Sequence, residues 1–269
     1  MLPNRKIIIG ITIPLVLFII SDSIAGLLMP SIYAAETPNW FMQTRSQDFI
    51  DLVLVMPVLV VSCIYTVKGK VFGLYVCGGV YLYLSYTFTI YTFALHFNSL
   101  FLCYCITFGL SVYGLIYIFY CLLIHPQKLQ ARQINRDLFM SWYFIGIAIF
   151  FSVLWLSEIV PALLYPQLPA SIILTGLLVN PVQALDLSLL LPLVFMTGLW
   201  IKQGKIIGKI LAPVISTFFV LMSLTIAIIA LFISGNENLP VIIIMVLMAL
   251  VSLLLLFHSF KGMQQSLVT

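Results

Sequence analysis

The chain has 269 residues, 63% of them hydrophobic and 7% charged, with a formal net charge of +4. Soluble domains carry about 25% charged residues, so this composition excludes a single soluble core and points to a membrane-embedded protein. No nucleic-acid partner is expected.

Apolar runs bounded by charge, proline, glycine and asparagine fall near residues 7–29, 49–67, 71–95, 100–124, 139–164, 182–201, 206–233 and 240–260. A polar stretch at 125–137 separates the halves. Several runs approach or exceed the roughly 20 apolar residues that cross a hydrocarbon core. Their length, without the alternation of a barrel strand, predicts helices. The fold class expected is all-α, a polytopic transmembrane helix bundle of eight spans.

Eight spans leave both termini on one side. Arg5, Lys6, Lys68, Lys70, Lys128, Arg132, Arg136, Lys202, Lys205, Lys209 and Lys261 fall on that side, and only Arg45 falls opposite. An excess of Lys and Arg in short loops marks the cytoplasmic face, which places both termini inside. Arg5 and Lys6, an apolar run and then Tyr33-Ala34-Ala35 imitate a secretory signal. The run is longer than the 7–15 residues of a typical signal core, and it has a counterpart in the second half, so it is read as a retained span.

That counterpart belongs to a duplication. Asp51 and Asp186 lie 135 residues apart, and the same offset pairs Pro57 with Pro192, Gly69 with Gly204, Lys70 with Lys205 and Gly73 with Gly208. One further residue of offset pairs Ser21-Asp22 with Ser157-Glu158 and Pro30 with Pro166, and Asn98 has a looser partner in Asn236. The predicted organisation is a first four-helix repeat over 1–124, a cytoplasmic linker over 125–138 and a second four-helix repeat over 139–269. With an even number of spans in each, the two repeats share one orientation, as in parallel-repeat transporters.

Ionisable residues inside a bilayer are costly, so the acids are the first candidates for function. Asp22 lies about 24 Å along the first helix from Lys6, in the outer quarter of a core about 30 Å thick. Glu158 occupies the matching place in the fifth span, and Asp51 and Asp186 sit just inside the outer ends of the second and sixth. Pro57 and Pro192 follow those aspartates by six residues, free the carbonyls of Val53 and Ser188, and predict helix kinks. Two readings stand side by side. In one, Asp22, Asp51, Glu158 and Asp186 form an outward-facing site between the repeats for a proton, a cation or a cationic substrate. In the other they are interfacial acids bonded to nearby backbone.

Other residues carry plainer expectations. Asp48 reads as a helix N-cap, and Asn180-Pro181 as cap and first-turn proline. Tyr75, Tyr81, Tyr83, Tyr86 and Tyr91 crowd the third span; one reading has them line a cavity and hydrogen-bond a polar ligand, and the plainer one, preferred here, is core packing. His96 and Asn98 read as turn residues, and Lys68-Gly69-Lys70 and Lys202-Gln203-Gly204-Lys205 as basic turns that set orientation. Cys63, Cys77, Cys103, Cys105 and Cys121 lie in apolar stretches of the first half and read as buried thiols, not a disulfide framework. Cys103 and Cys105, two apart on a helix, point to different faces and do not suggest a shared metal.

Enzyme motifs are nearly absent. Gly109-Leu110-Ser111-Val112 resembles the nucleophile motif of rhomboid proteases, but by helical rise Ser111 lies near mid-bilayer and His258 near the inner end, beyond hydrogen-bond reach. No ligand cluster suggests haem or zinc. No enzyme, cofactor or metal is expected.

Gln47-Asp48 with Asp51-Leu52 and Pro57, Phe97-Asn98 with Leu100-Phe101-Leu102 and Tyr104, and Asn180-Pro181 with Leu185-Asp186-Leu187 through Pro192 resemble an uncharacterised family of prokaryotic multispan membrane proteins. The resemblance covers roughly half the chain. It implies an architecture of about eight helices and a prokaryotic plasma membrane, and implies no activity. The function expected is a small transporter or permease-like protein, with the lipid bilayer and a small cationic or proton-coupled substrate as partners. The alternative is a non-transporting sensor, assembly factor or subunit of a larger membrane complex.

Overall fold

A computed structural model describes residues 3–124, 137–234 and 238–260. Eight helices in it are long and apolar enough to cross a membrane, and no strand occurs among the described residues. The chain is a multi-pass helical membrane protein. The helices are α1 (Arg5–Leu28), α2 (Pro38–Val67), α3 (Val71–Ala94), α4 (Phe101–Ile124), α5 (Leu138–Leu164), α6 (Pro181–Lys202), α7 (Ile206–Ser234) and α8 (Leu239–Phe260). Of the residues assigned to the cytoplasmic side, Lys128, Arg132, Arg136 and Lys261 lie outside the described residues, as do Asn236 and the linker through 136.

Helix starts follow local chemistry. The side chains of Asn4, Asp137 and Asn180 accept from the backbone N–H of Lys6, Met140 and Val182, covering donors that an N-terminal turn leaves bare. Asn98 likewise accepts from the Leu100 N–H ahead of α4.

One boundary departs from expectation. α2 begins at Pro38, well before residue 49, so Asp48 is not an N-cap but lies inside the helix. The residues that broke the apolar run, Thr44, Ser46, Gln47 and Asp48, are all buried. Tertiary partners make that burial tolerable, and no local pattern announces them.

The paired prolines have a visible local effect. Asp51–Val55 and Asp186–Leu190 are π-helical, with the N–H of Met56 bonded to the Asp51 carbonyl and that of Leu191 to the Asp186 carbonyl. Pro57 and Pro192 stand two residues beyond the ends of these segments. A proline cannot donate to the carbonyl four residues back, and a π-bulge is a common way to re-bond such a stretch.

Other local geometry recurs at the same spacing. Gly69 and Gly204 turn with φ of 74° and 72°, a left-handed conformation that favours glycine. The Lys70 N–H reaches the Tyr65 carbonyl at 2.9 Å, and the Lys205 N–H reaches the Trp200 carbonyl at 2.8 Å. A Cβ on Gly73 would meet the Thr66 nitrogen at 2.6 Å, and one on Gly208 would meet the Ile201 nitrogen at 2.6 Å. The caps of α1 and α5 also match, with Met29 at φ −119°, ψ 81° and Tyr165 at φ −115°, ψ 88°.

The chain divides into two compact units, cut differently from residues 1–124 and 139–269. Unit 1 holds α1, α2 from Phe41, α3, α4, α7 from Pro213, and α8; unit 2 holds residues 36–40, α5, α6 and α7 through Ala212. In unit 1, α3 is the buried centre: Tyr75, Tyr81, Tyr83, Leu84 and Phe88 are shielded there. Glycine lets its neighbours close in, because a Cβ on Gly79 would collide with Thr217 of α7 and one on Gly114 with the Tyr81 ring. In unit 2, α5 and α6 meet where the Ser141 hydroxyl donates to the Gly198 carbonyl at 2.8 Å. The Lys202 ammonium lies 4.3 Å from the Trp142 ring centre.

Candidate functional site

Unit 1 buries three carboxylates. Asp22 of α1 and Asp48 and Asp51 of α2 are each 1% exposed. Asp48 and Asp51 are three residues apart on a helix and therefore share a face. Asp22 and Asp51 are close enough for their charges to interact, and both act on Asp48 in the same way.

The partners of these acids are neutral. The Tyr33 hydroxyl, from the turn after α1, donates to Asp48 Oδ2 at 2.8 Å, and the Tyr91 hydroxyl of α3 donates to Asp48 Oδ1 at 2.9 Å. The Tyr104 hydroxyl of α4 lies 3.5 Å from that of Tyr33. Gln47 Nε2 donates to Asp51 Oδ1 at 2.8 Å and to the Tyr83 hydroxyl at 2.7 Å, and Tyr83 continues to the Thr225 hydroxyl of α7 at 2.8 Å. The Thr107 hydroxyl of α4 donates to Asp22 Oδ2 at 3.3 Å. Asp22 Oδ1 is buried without a hydrogen-bond partner, although the Cys103 thiol stands beside the carboxylate.

Burial, and then the charge of Asp48, push the Tyr33 phenol well above its ordinary range, so it serves as a lasting donor. The layer is tightly closed next to α1. A Cβ on Gly26, one turn beyond Asp22, would run into the Asp48 carboxylate and the Tyr33 hydroxyl. Around it the Tyr91 and Tyr104 rings meet edge to face at 5.2 Å, and Phe88 packs on both.

Unit 2 holds the other two candidate acids in a different setting. Glu158 is partly exposed; its Oε1 accepts from the Ser171 backbone N–H at 2.8 Å and its Oε2 from Gln183 Nε2. Asp186 is 7% exposed and its Oδ2 accepts from Trp155 Nε1 at 2.8 Å. Trp155 and Glu158 lie on α5, Gln183 and Asp186 on α6, so two hydrogen bonds cross-link the helix pair.

The residues that complete the unit 1 layer were hidden in three ways. Asp48 had been read as a cap. Tyr83 and Tyr91 had been read as packing, but each places a hydroxyl in the network. Gln47 stood out in the sequence only through the family resemblance, Tyr33 only through a signal-like stretch, and Thr107 not at all. One signal was present: Gln47, Asp48 and Asp51 stand at helical spacing ahead of Pro57. The tyrosines of α3 remain partly core, since Tyr75 is 1% exposed and the Tyr81 hydroxyl pairs with that of Thr12, at 2.9 Å, not with an acid. All five cysteines are free; Cys63, Cys77 and Cys121 are buried, while Cys103 and Cys105 are only half-buried. Among the described residues no three His, Cys, Asp or Glu side chains gather into a metal-binding cluster. No family model, no curated protein and no solved structure matches the chain.

Proposed function

We propose that the protein is a small cation- or proton-coupled permease, and that the acidic layer of unit 1 is its ion-binding site. The observation that carries this reading is the burial of Asp22, Asp48 and Asp51 among tyrosine, threonine and glutamine, with no ion pair to a lysine or arginine among the described residues. The Arg45 guanidinium, one turn before Asp48, donates instead to the Leu27 carbonyl. Buried carboxylates without a counter-ion are costly, and in membrane helices they mark ion and proton pathways. Asp51 opens a π-helical segment, a feature found often at functional sites.

The protein belongs, on this reading, in the plasma membrane of a prokaryote with both termini cytoplasmic, as its lysine and arginine partition supports. The chain arose by duplication of a four-helix unit in parallel orientation. The recurrent π-segments, turn glycines and helix caps support that history.

The test is reconstitution of the full chain in liposomes, with uptake of protons, sodium, potassium and tetramethylammonium measured against protein-free vesicles. Uptake of one of them that Asp51→Asn abolishes supports the permease. Uptake indistinguishable from empty vesicles for every probe would turn the assignment to a sensor, assembly factor or complex subunit.

A further inference from the structure

The five acids discussed above differ in the kind of donor that faces them, and the difference bears on what the site carries. Backbone, amide and indole N–H groups can only donate. Such donors face Glu158, at Ser171 N and Gln183 Nε2, Asp186, at Trp155 Nε1, and in unit 1 Asp51, at Gln47 Nε2. A hydroxyl can turn and accept instead. Hydroxyls face both oxygens of Asp48 and Oδ2 of Asp22, whose carboxylate also has the Cys103 thiol as a neighbour. Asp48 has both oxygens engaged, whereas Asp22 has one left buried and bare.

We propose that the passenger of the acidic layer is a proton and that Asp22 Oδ2 is where it binds. The inference rests on the permease reading and names its ion. On binding, an O–H bond forms at Oδ2 and the negative charge of the carboxylate is removed. The new O–H donates to Thr107 Oγ1, reversing the existing bond. The Thr107 hydrogen turns to a carbonyl of its own helix, as Thr66 and Ser85 do four residues back in theirs. Oδ1 becomes a carbonyl oxygen, which costs far less to leave unpaired than an anionic one. Release reverses each change, with no other co-reactant.

Space argues for the same passenger. Beside Asp48 and Tyr33 there is no room for a methyl group at residue 26. A metal cation needs several oxygens turned to one point, and those of Asp48 are held by Tyr33 and Tyr91. The titratable groups around Asp22 are Asp48 and Asp51 on α2 and Cys103 and Tyr104 on α4; Tyr33, Tyr83 and Tyr91 stand behind the aspartates.

The experiment is infrared difference spectroscopy of the full chain in lipid nanodiscs, unlabelled and with carbonyl-labelled aspartate, as pH is lowered. A protonated-carboxyl band that moves with the aspartate label is expected. It should vanish in Asp22→Asn, persist in Glu158→Gln, and lose its label shift in Asp22→Glu. The glutamate variant retains a carboxyl and serves even where the amide disturbs folding. A labelled band that survives in Asp22→Asn or Asp22→Glu assigns the proton elsewhere and overturns the proposal. So does a titration of the wild type that moves when sodium or potassium is added, since a metal cation would then share the site. A band that behaves as expected in a protein without flux keeps Asp22 and removes the permease; flux with the band on another acid does the reverse.

Discussion

The acids of unit 1 and unit 2 start from closely similar backbone and end in different chemistry. Asp51 and Asp186 both open π-helical segments ahead of a proline, and Asp22 and Glu158 both precede the same form of helix cap by seven residues. Yet Asp22 is 1% exposed, half-bonded and near two other carboxylates, whereas Glu158 is partly exposed with both oxygens served by N–H donors. The lesson is that acids at matching places in two similar backbone stretches take their roles from what surrounds them. Glu158, with both oxygens served by N–H donors, ties helices together; Asp22, facing the Thr107 hydroxyl with an oxygen to spare, is the acid proposed to change its protonation state.

The largest expected effect breaks the comparison directly. Asp22→Asn and Asp51→Asn should reduce ion flux in liposomes to the level of empty vesicles, while Glu158→Gln and Asp186→Asn leave most of it. Equal losses from all four would show that the units contribute alike and would sink the distinction drawn above.

A second effect is structural. Gly26→Ala places a methyl group against the Asp48 carboxylate and should destabilise the protein by about 1–3 kcal/mol, as overpacking does. Gly10→Ala, on the same helix but with open space around it, should be neutral or gain up to about 1 kcal/mol. Thermal unfolding in detergent separates the two. A silent Gly26→Ala would mean that the layer is looser than described.

Tyr91→Phe removes the donor to Asp48 Oδ1 and leaves a buried carboxylate oxygen short, at a cost of about 1–3 kcal/mol. Trp155→Phe removes the donor to Asp186 in unit 2, a less fully buried carboxylate than Asp48, and should cost less. Denaturation of both variants in one detergent checks the order. The smallest effect is that of Thr225→Val, which removes the outermost link of the chain that runs through Tyr83 and Gln47 to Asp51. It should cost about 0.6 kcal/mol, the average for a hydrogen bond between membrane helices.

Much of the fold was legible because bilayers impose simple rules. Spans must be long and apolar, and turns need glycine or asparagine, so Gly69, Gly204, Asn98 and Asn180 announced their places. The site was legible only in part. Asp22 and Asp51 stood out as acids within apolar runs, and Pro57 and Pro192 marked the π-segments beside two of the four candidates. Asp48 did not stand out, because the polar residues before it look like the end of a span. Its partners, Tyr33 and Tyr91, lie 15 and 43 positions away, so only folding reveals that the stretch continues as helix.

By itself, then, the sequence determined a multi-pass helical protein with recurrent local geometry, since hydrophobic length, proline and glycine act over a few residues. Tertiary structure decided which acids are buried, what donors face them, and that three gather in unit 1. Those facts depend on contacts between helices distant in the chain. No periodicity within one helix encodes them.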